Sequence, residues 1–297
     1  EGAALPGGSA RPSLHPETMY REIARGREAI AAGVTTDGYP QHFKRSLDGV
    51  MELYGVGLGP GQHRRVLAVF AVPGRNLVPH ARPDGGPGLL YPIAIRLIAM
   101  DRASGVVRQL DTVRTFLTRD TLRGEQHLTG WLELPVPAGI YDVRALLTSP
   151  GVDAGSGAGR DSVALAARSD SLTLSDIILG REGQLSWRYD GAPVPLNPLN
   201  AYPRGGTATL FYELAGLQPG RHYRVAFAIR RPEDKPDQRP QVSVAFDVTA
   251  RADYQPERRE IGLENLKPGA YLLQTTVAAA DGGPTIVRTR ALNVLDH

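Results

Sequence analysis

The chain contains one phrase twice, and this repeat constrains the fold more than any other feature of the sequence. Residues 57–70 read GLGPGQHRRVLAVF and residues 216–229 read GLQPGRHYRVAFAI, and the two align without a gap. Each phrase has a Pro-Gly pair ahead of a strand-length apolar run. Proline fixes φ near −65° and glycine accepts a positive φ, so each pair predicts a tight turn that leads into a strand.

A second repeat supports the same register. Leu132–Thr148, LELPVPAGIYDVRALLT, resembles Leu263–Val277, LENLKPGAYLLQTTV, with one extra residue at Ala138. In both stretches a tyrosine, Tyr141 or Tyr271, follows the turn, where it can pack across one end of a sandwich. Together the repeats predict a duplicated β-sandwich module, with each phrase at the same place in both copies.

Short apolar or alternating segments, separated by Gly, Pro, Asp and Asn, fill almost all of the chain after residue 45. Their turn spacing of roughly 8–12 residues is typical of β-sandwiches. We therefore predict an all-β protein with two tandem Ig-like or fibronectin III-like β-sandwiches and a short N-terminal helical segment. The predicted divisions are residues 1–45 for a flexible lead and helix, 46–180 for the first sandwich and 181–297 for the second, with a Pro-rich junction at 190–206.

The predicted helix covers residues 15–33, HPETMYREIARGREAIAAG. A proline lies in its first turn and a glycine at its end, which are the usual places for these residues. Its larger apolar residues, Met19, Tyr20, Ile23 and Ile30, lie on one side. The pattern is typical of an amphipathic helix.

Two further segments carry local predictions. We expect LSWRY, residues 185–189, to pair as an edge strand of the second sandwich, while the prolines of the junction run along its side and hold the two modules in one preferred orientation. We expect the glycine-rich stretch DAGSGAGRD, residues 153–161, to be a flexible hairpin loop rather than a calcium-binding loop, because it lacks the acid density of an EF-hand.

Composition excludes several classes of function. The net charge is only +3, charges of both signs are interspersed, and no run of five or six basic residues occurs, so a nucleic-acid partner is not expected. The chain has no cysteine, which excludes disulfides, zinc–thiolate sites and thiol nucleophiles. It also has no apolar run of about 20 residues, the length of a membrane helix. Because it begins at Glu1 without an apolar signal core, we expect a mature exported protein.

No set of residues predicts a reaction or a bound metal. His63 and His222 recur in the repeated phrase, but neither has a second histidine at a metal-binding spacing, so we expect each to hydrogen-bond locally. Ser156 lacks the G-x-S-x-G pattern of serine hydrolases, and residues 55–61 lack the lysine of a phosphate-binding loop. We therefore expect no catalytic residue, no cofactor and no metal site.

The two tryptophans are the remaining candidates for ligand contacts. Trp131 lies in an alternating strand and is expected in the core. Trp187 and Tyr189, in QLSWRYDG, lie close to the predicted domain junction. They could stack on a sugar ring or pack between the domains, and packing is the favoured interpretation.

Several phrases resemble those of one protein family. The stretch PAGIYDVRALLTS followed by DSVALAARSDSLTLSDIILG resembles the first sandwich of GWxTD-type bacterial proteins, and residues 200–220 and 263–296 resemble the second. The resemblance covers about residues 90–297. The motif that names the family is absent, because the Gly-Trp at residues 130–131 has no Thr-Asp near it. The resemblance implies extracytoplasmic bacterial sandwich modules.

These observations predict a non-catalytic, exported bacterial β-sandwich protein that acts in protein–protein interaction or in cell-envelope or extracellular assembly. A protein partner or self-assembly is expected, and a glycan is the other candidate ligand. The alternative is a polysaccharide-binding module, or an accessory domain of a glycan-degrading enzyme. Exposure of Trp187 and Tyr189 on one face would favour the alternative, and burial of both at the junction would favour the scaffold.

Overall fold

A computed structural model of the protein describes residues 43–60, 64–124, 126–167, 170–183, 185–235 and 238–296. These residues form 20 strands, and the one helical element among them is a single 3-10 turn at Gly74–Asn76. The described part of the chain is thus nearly all β, as the sequence predicts. The predicted helix at residues 15–33 and the lead before it lie outside the described residues.

The strands have the following bounds: β1 Arg45–Ser46, β2 Val50–Val56, β3 Arg65–Pro73, β4 His80–Ala81, β5 Leu89–Asp101, β6 Val107–Thr118, β7 His127–Pro135, β8 Gly139–Thr148, β9 Ala154–Leu165, β10 Thr173–Leu174, β11 Ile178–Gly180, β12 Leu185–Tyr189, β13 Ala192–Leu196, β14 Ala201–Pro203, β15 Thr207–Ala215, β16 His222–Arg230, β17 Val242–Thr249, β18 Tyr254–Gly262, β19 Gly269–Ala279 and β20 Ile286–Leu295.

Strands β1 to β9, which we call the first half, form two sheets around one core. One sheet has the order β1-β9-β8-β5-β6, with the short β4 also paired to β5, and the other has the order β2-β3-β7. Successive side chains of a strand point to opposite faces. One face of each sheet contributes to a single buried cluster that includes Phe70, Leu97 and Val143. The two sheets therefore pack face to face.

Strands β10, β11 and β14 to β20, which we call the second half, are arranged in the same way. One sheet has the order β14-β20-β19-β16-β17. In the other, β15 pairs with β18 along its whole length and with β10 and β11 in succession. A second buried cluster, which includes Tyr212, Phe227 and Tyr271, lies between them.

The strand pairing of the first half recurs in the second. In each half a short strand, β1 or β14, pairs in parallel with the strand that follows β8 or β19. The shorter repeat of the sequence occupies equivalent places in this pattern. Tyr141 on β8 donates a hydrogen bond of 3.0 Å to the carbonyl of Pro137, and Tyr271 on β19 donates one of 2.7 Å to the carbonyl of Lys267. Both tyrosines are buried.

The longer repeat does not occupy equivalent places, so this part of the sequence prediction is wrong. The turn at Gly57 leads into β3, which lies between β2 and β7, whereas the turn at Gly216 leads into β16, which lies between β17 and β19. By order and pairing, β16 corresponds to β5 instead. The first turn joins two paired strands, β2 and β3, whereas the second joins β15 and β16, which lie in different sheets. A Pro-Gly pair sets a local reversal of the chain and does not decide which strand pairs next.

The segment LSWRY also differs from its prediction. It forms β12, which pairs only with β13 among the described strands and not with either sheet of the second half. The turn between β12 and β13 explains the pairing. Asp190 has φ of 49° and Gly191 has φ of 79°, the two positive values that a tight two-residue hairpin requires.

The glycine-rich stretch at residues 153–161 is not a loop. Residues from Ala154 onward belong to β9, which pairs antiparallel with β8 from Gly155 to Leu165. Gly155, Gly157 and Gly159 alternate with residues such as Ala154 and Ala158, whose side chains face the first core. The glycines therefore occupy only positions that point outward. The backbone ladder is unaffected by the missing side chains, and the prediction of a flexible loop is wrong.

The chain passes from the pairing of the first half to that of the second between β9 and β10. Because β10 and β11 pair with β15, this passage precedes residue 181, where the sequence analysis divides the sandwiches. Pairing by itself does not define a domain, and the division at 181 stays a prediction. The described part of the chain contains no helix with the length and hydropathy needed to traverse a lipid bilayer.

Candidate functional site

The hairpin β12–β13 is the centre of a third buried cluster, which we call the junction core. It contains Tyr54 and Val56 of β2, Leu67 and Val69 of β3, Ile178 of β11, Trp187 and Tyr189 of β12, Val194 and Leu196 of β13, and Phe211 of β15. These residues come from the first half, the hairpin and the second half. The hairpin therefore joins the outer face of the β2-β3-β7 sheet to the outer face of the β15 sheet.

Three aromatic rings pack against one another in the junction core. The ring centroids of Trp187 and Tyr189 are 5.0 Å apart, and Phe211 lies 6.1 Å from Trp187 and 5.1 Å from Tyr189. The angles between the ring planes, 55° to 86°, are in the tilted and edge-on range that aromatic pairs prefer. The side chain of Trp187 is fully buried and that of Tyr189 is 3% exposed. In this arrangement neither ring offers a face to a sugar.

Indole N–H groups link the hairpin to the first half. Trp187 donates its indole N–H to the carboxylate of Glu133 on β7, and Arg65 on β3 lies 3.1 Å from the other oxygen of that carboxylate. Trp131 donates its indole N–H to the carbonyl of Ser186 over 3.1 Å. Trp131 is partly buried and packs against the junction core, not in the first core where the sequence analysis places it.

Glu213, two residues before the end of β15, is a fully buried carboxylate. It accepts hydrogen bonds from the backbone N–H groups of Gly57 and Leu58, at 2.7 and 2.9 Å. It also accepts from the hydroxyls of Tyr189 and of Tyr254, the latter at 2.9 Å. Burial, followed by the Glu213 charge, raises the pKa of both phenols well above the usual value, so both remain donors.

Asp176, between β10 and β11, is the second buried carboxylate. Arg160 of β9 approaches both of its oxygens, and Arg290 of β20 lies 3.3 Å from one of them. The N–H of Gly55 donates to it over 2.5 Å. Burial alone would raise the pKa of Asp176, but Arg290, Arg160 and these hydrogen bonds outweigh it and lower the pKa to about 2. One cation from each half therefore neutralises this carboxylate.

The two arginines also bond to the backbone of the first half. Arg160 donates to the carbonyl of Leu53 over 2.8 Å, and Arg290 donates to the same carbonyl over 3.4 Å. The guanidinium of Arg290 lies 4.6 Å from the centroid of the Tyr54 ring, within the range of a cation–π contact. Burial would lower the pKa of Arg160, but Asp176 outweighs it and raises that pKa.

The polar groups of this arrangement bond to one another and link strands of the two halves. The carboxylates of Glu213 and Asp176 accept from backbone amides, phenols and guanidinium groups, and both are buried, so they present no free oxygen to a substrate. Among the described residues, no three His, Asp or Glu side chains are placed to hold a metal ion. His222 hydrogen-bonds to the hydroxyl of Thr249 over 3.0 Å, while His63 lies outside the described residues.

Trp187 and Tyr189 are recognisable in the sequence as candidate contacts, and the structure places both in the junction core. Glu213, Asp176 and the two arginines that reach Asp176 were not predicted. One signal was available, because Glu213 is the only charged residue in the strand TATLFYELA, where an acid in an apolar run indicates a buried polar contact. Nothing in the local sequence of Arg160 or Arg290 distinguishes them from the other arginines of alternating strands.

Comparisons with known proteins find only distant structural similarity. No family model matches the chain. No curated protein matches it. Among solved structures it is similar to red sea bream transglutaminase at 10% identity with a TM-score of 0.24, over 95% of this chain and 34% of that one. It is similar to the FN1–FN3 domains of chicken CNTN1 at 14% identity with a TM-score of 0.22, over 82% and 65%.

A third structure, Escherichia coli alpha-2-macroglobulin activated by porcine elastase, is similar at 11% identity with a TM-score of 0.25, over 87% of this chain and 23% of that one. The chain thus spans less than two thirds of the length of each of the three. At these TM-scores the similarity assigns the chain to no family and gives it no activity.

Proposed function

We propose that this chain is a non-catalytic, exported bacterial protein whose two tandem Ig-like sandwiches act as one rigid scaffold in protein–protein interaction or in cell-envelope or extracellular assembly. The observation that carries the proposal is the placement of Asp176 between Arg160 of the first half and Arg290 of the second. A buried charge shared in this way fixes the position of one half relative to the other.

Separation of the halves would be costly for two physical reasons. The aromatic rings of the junction core would be exposed to water, at about 25 cal/mol for each Å² of apolar surface. Asp176 and Glu213 would also lose buried donors, and breaking one buried ion pair costs roughly 3–5 kcal/mol when a partner is left uncompensated. Domains joined by a flexible tether have neither cost, so this junction favours a rigid spacer.

The burial of Trp187 and Tyr189 weighs against the polysaccharide-binding alternative. Sugar-binding sandwiches need an exposed aromatic face on which a ring can stack. Here both rings pack on Phe211 instead. The scaffold is therefore the better supported of the two functions.

Small-angle X-ray scattering tests the rigid arrangement. We expect the profile of the monomeric protein to fit one arrangement of the two halves. Arg290→Ala should broaden the distribution of arrangements, whereas Arg224→Ala, which removes an exposed partner of Asp247, should not. A native profile that requires a broad range of angles between the halves would contradict the proposal.

The scaffold role needs a separate test in the source bacterium. We expect a tagged full-length chain to fractionate outside the cytoplasm and to be cross-linked to an envelope protein, or to itself, through a photoreactive residue at an exposed position. The same chain with Arg290→Ala should lose the cross-link while keeping its location, because the partner would meet a surface with altered geometry. Recovery of the chain in the cytoplasm would contradict the exported role.

A further inference from the structure

The sheet of the first half has an exposed apolar outer face, which we call the β5–β6 face. Met100, Val107, Val113, Leu117 and Ile140 lie on it and are 41–56% exposed, and they account for most of the exposed large hydrophobic side chains among the described residues. Side chains of intervening residues such as Leu97 point the other way, into the first core. The outward rows thus combine these apolar side chains with polar ones such as Arg96 and Asp111, whereas a solvent-exposed face of a sheet is normally polar throughout.

The shape of this face suits an elongated occupant. A shallow groove of about 510 Å³ crosses its middle and is lined by Ala94, Val113 and Leu146, with the Arg96–Asp111 ion pair at its side. Beyond β8, the outward positions 155, 157 and 159 of β9 are glycines, with the ring of Phe43 over Gly155 and the side chain of Arg144 over Gly159. At Gly157 a side chain would meet no heavy atom closer than 3.8 Å. At its β9 border the face is therefore open at Gly157, between these two side chains.

The chain itself enters on this face. The ring of Phe43 lies against Gly155 on the outward side of β9, where it leaves no room for a Cβ. Phe43 is followed by β1, which pairs in parallel with the start of β9. The 42 residues that precede Phe43 thus join the described part of the chain at the border of the apolar face.

The segment upstream has the pattern and length to cover the face. The sequence predicts an amphipathic helix at residues 15–33, with Met19, Tyr20, Ile23 and Ile30 on one side. Such a helix is about 27 Å long, and the residues between it and Phe43 can span up to roughly 30 Å when extended. β6 alone, with 12 residues, runs for about 40 Å. A helix of this length fits on the sheet, and the connection reaches any part of it.

We propose that residues 15–33 of the same chain dock through their apolar side on the β5–β6 face. The exposed apolar side chains of the face and the apolar side of the predicted helix match each other in chemistry and in length. Docking would bury both, and Phe43 would be the last contact of the docked segment before the chain enters the sheet.

Thiol labelling tests the proposal in the full-length chain, because the protein has no cysteine of its own. Val113→Cys places a thiol at the centre of the β5–β6 face, and Val244→Cys places one on β17, at a position 44% exposed in the second half. Each alkylation rate is divided by the rate for the same variant in denaturant. We expect Cys at 113 to react roughly tenfold more slowly than Cys at 244, because reaction requires the segment to leave.

A matched pair of variants identifies the occupant. Ile23→Ser with Ile30→Ser should restore fast labelling at position 113, whereas Arg21→Ser with Glu28→Ser, on the opposite side of the predicted helix and without change of net charge, should leave it slow. Circular dichroism checks that all variants keep their sheets. Equal rates at 113 and 244, protection that disappears on dilution because a second copy supplies it, or protection that survives the isoleucine substitutions would each overturn the proposal.

Discussion

The carboxylate of Glu213 accepts a hydrogen bond of 2.7 Å from the backbone N–H of Gly57, a residue 156 positions earlier in the chain. Gly57 follows the end of β2 with φ of 98°, a value that glycine adopts readily and other residues rarely do. This conformation directs two successive N–H groups, those of Gly57 and Leu58, at one carboxylate. The end of a strand in the first half is therefore completed by a side chain of the second.

Replacement of Glu213 should be among the most damaging single changes in the protein. Glu213→Ala leaves two buried amides and two phenols without their acceptor, and we expect a loss of about 3 kcal/mol or more in the free energy of unfolding. Glu213→Gln retains one acceptor oxygen and should lose less. The exposed Glu260 on β18 serves as the control, because Glu260→Ala should change stability by less than about 0.5 kcal/mol. Denaturant unfolding measures all three, and equal effects at both positions would contradict the assignment.

Asp176 should contribute to stability in a way that depends on acid pH. Its pKa is lowered to about 2 in the folded protein, below the ordinary value of 3.8, so the unfolded chain binds the proton first as the pH falls. The stabilisation is complete above about pH 4 and is lost as the pH falls toward 2, with a total of about 2 kcal/mol. Asp176→Asn should be less stable at pH 7 and should lack this part of the acid dependence. Parallel stability curves for both proteins between pH 6 and 2 would rule out the assignment.

Tryptophan emission can report directly on the junction core. In Trp131→Phe the only tryptophan is the fully buried Trp187, and iodide should quench its emission much less than it quenches the partly buried Trp131 in the reciprocal variant Trp187→Phe. Soluble polysaccharides should leave the emission of Trp187 unchanged, because its rings and N–H are occupied by protein contacts. Quenching of Trp187 as strong as that of free tryptophan would favour the glycan-binding alternative.

The two buried tyrosines after the turns should make similar and independent contributions. Tyr141→Phe and Tyr271→Phe each remove one hydroxyl that donates to a carbonyl four residues earlier, at an expected loss of about 1 kcal/mol each. The two lie in separate cores, so the losses should add in the double variant. Unfolding experiments on the two single variants and the double variant measure this sum. A loss in the double variant that differs from the sum by more than about 0.5 kcal/mol would show that the halves are coupled at these positions.

The sequence predicts the strands well because each follows from a local pattern. The alternation of apolar and polar residues near Tyr141 and Tyr271, and the turns before them, involve only residues a few positions apart. The structure confirms the strands that these patterns predict. The longer repeat misleads for the same reason, since a Pro-Gly turn determines the local reversal of the chain and not the strand that pairs beside it. The glycines of β9 led to the wrong prediction of a loop. They form a strand because the hydrogen bonds to β8 come from the backbone and need no side chains.

The junction is harder to predict because its parts are distant in the sequence. Trp187 and Tyr189 are recognisable as rare aromatic residues next to a Pro-rich stretch. Arg160 and Arg290 are ordinary members of alternating strands, and their common partner Asp176 becomes apparent only once both halves are assembled. A buried ion pair depends on geometry in three dimensions, and a single sequence contains no local record of it.

The dependence of Leu58 on Glu213 has a consequence for synthesis of the protein. The acceptor for its N–H is 155 residues downstream, so at about 5–20 residues per second a ribosome makes it roughly 8–30 s later. During that interval the outer face of the β2-β3-β7 sheet also lacks the hairpin that covers it. The nascent first half therefore presents an apolar surface of the kind that chaperones bind, and its maturation ends only when the second half has been translated.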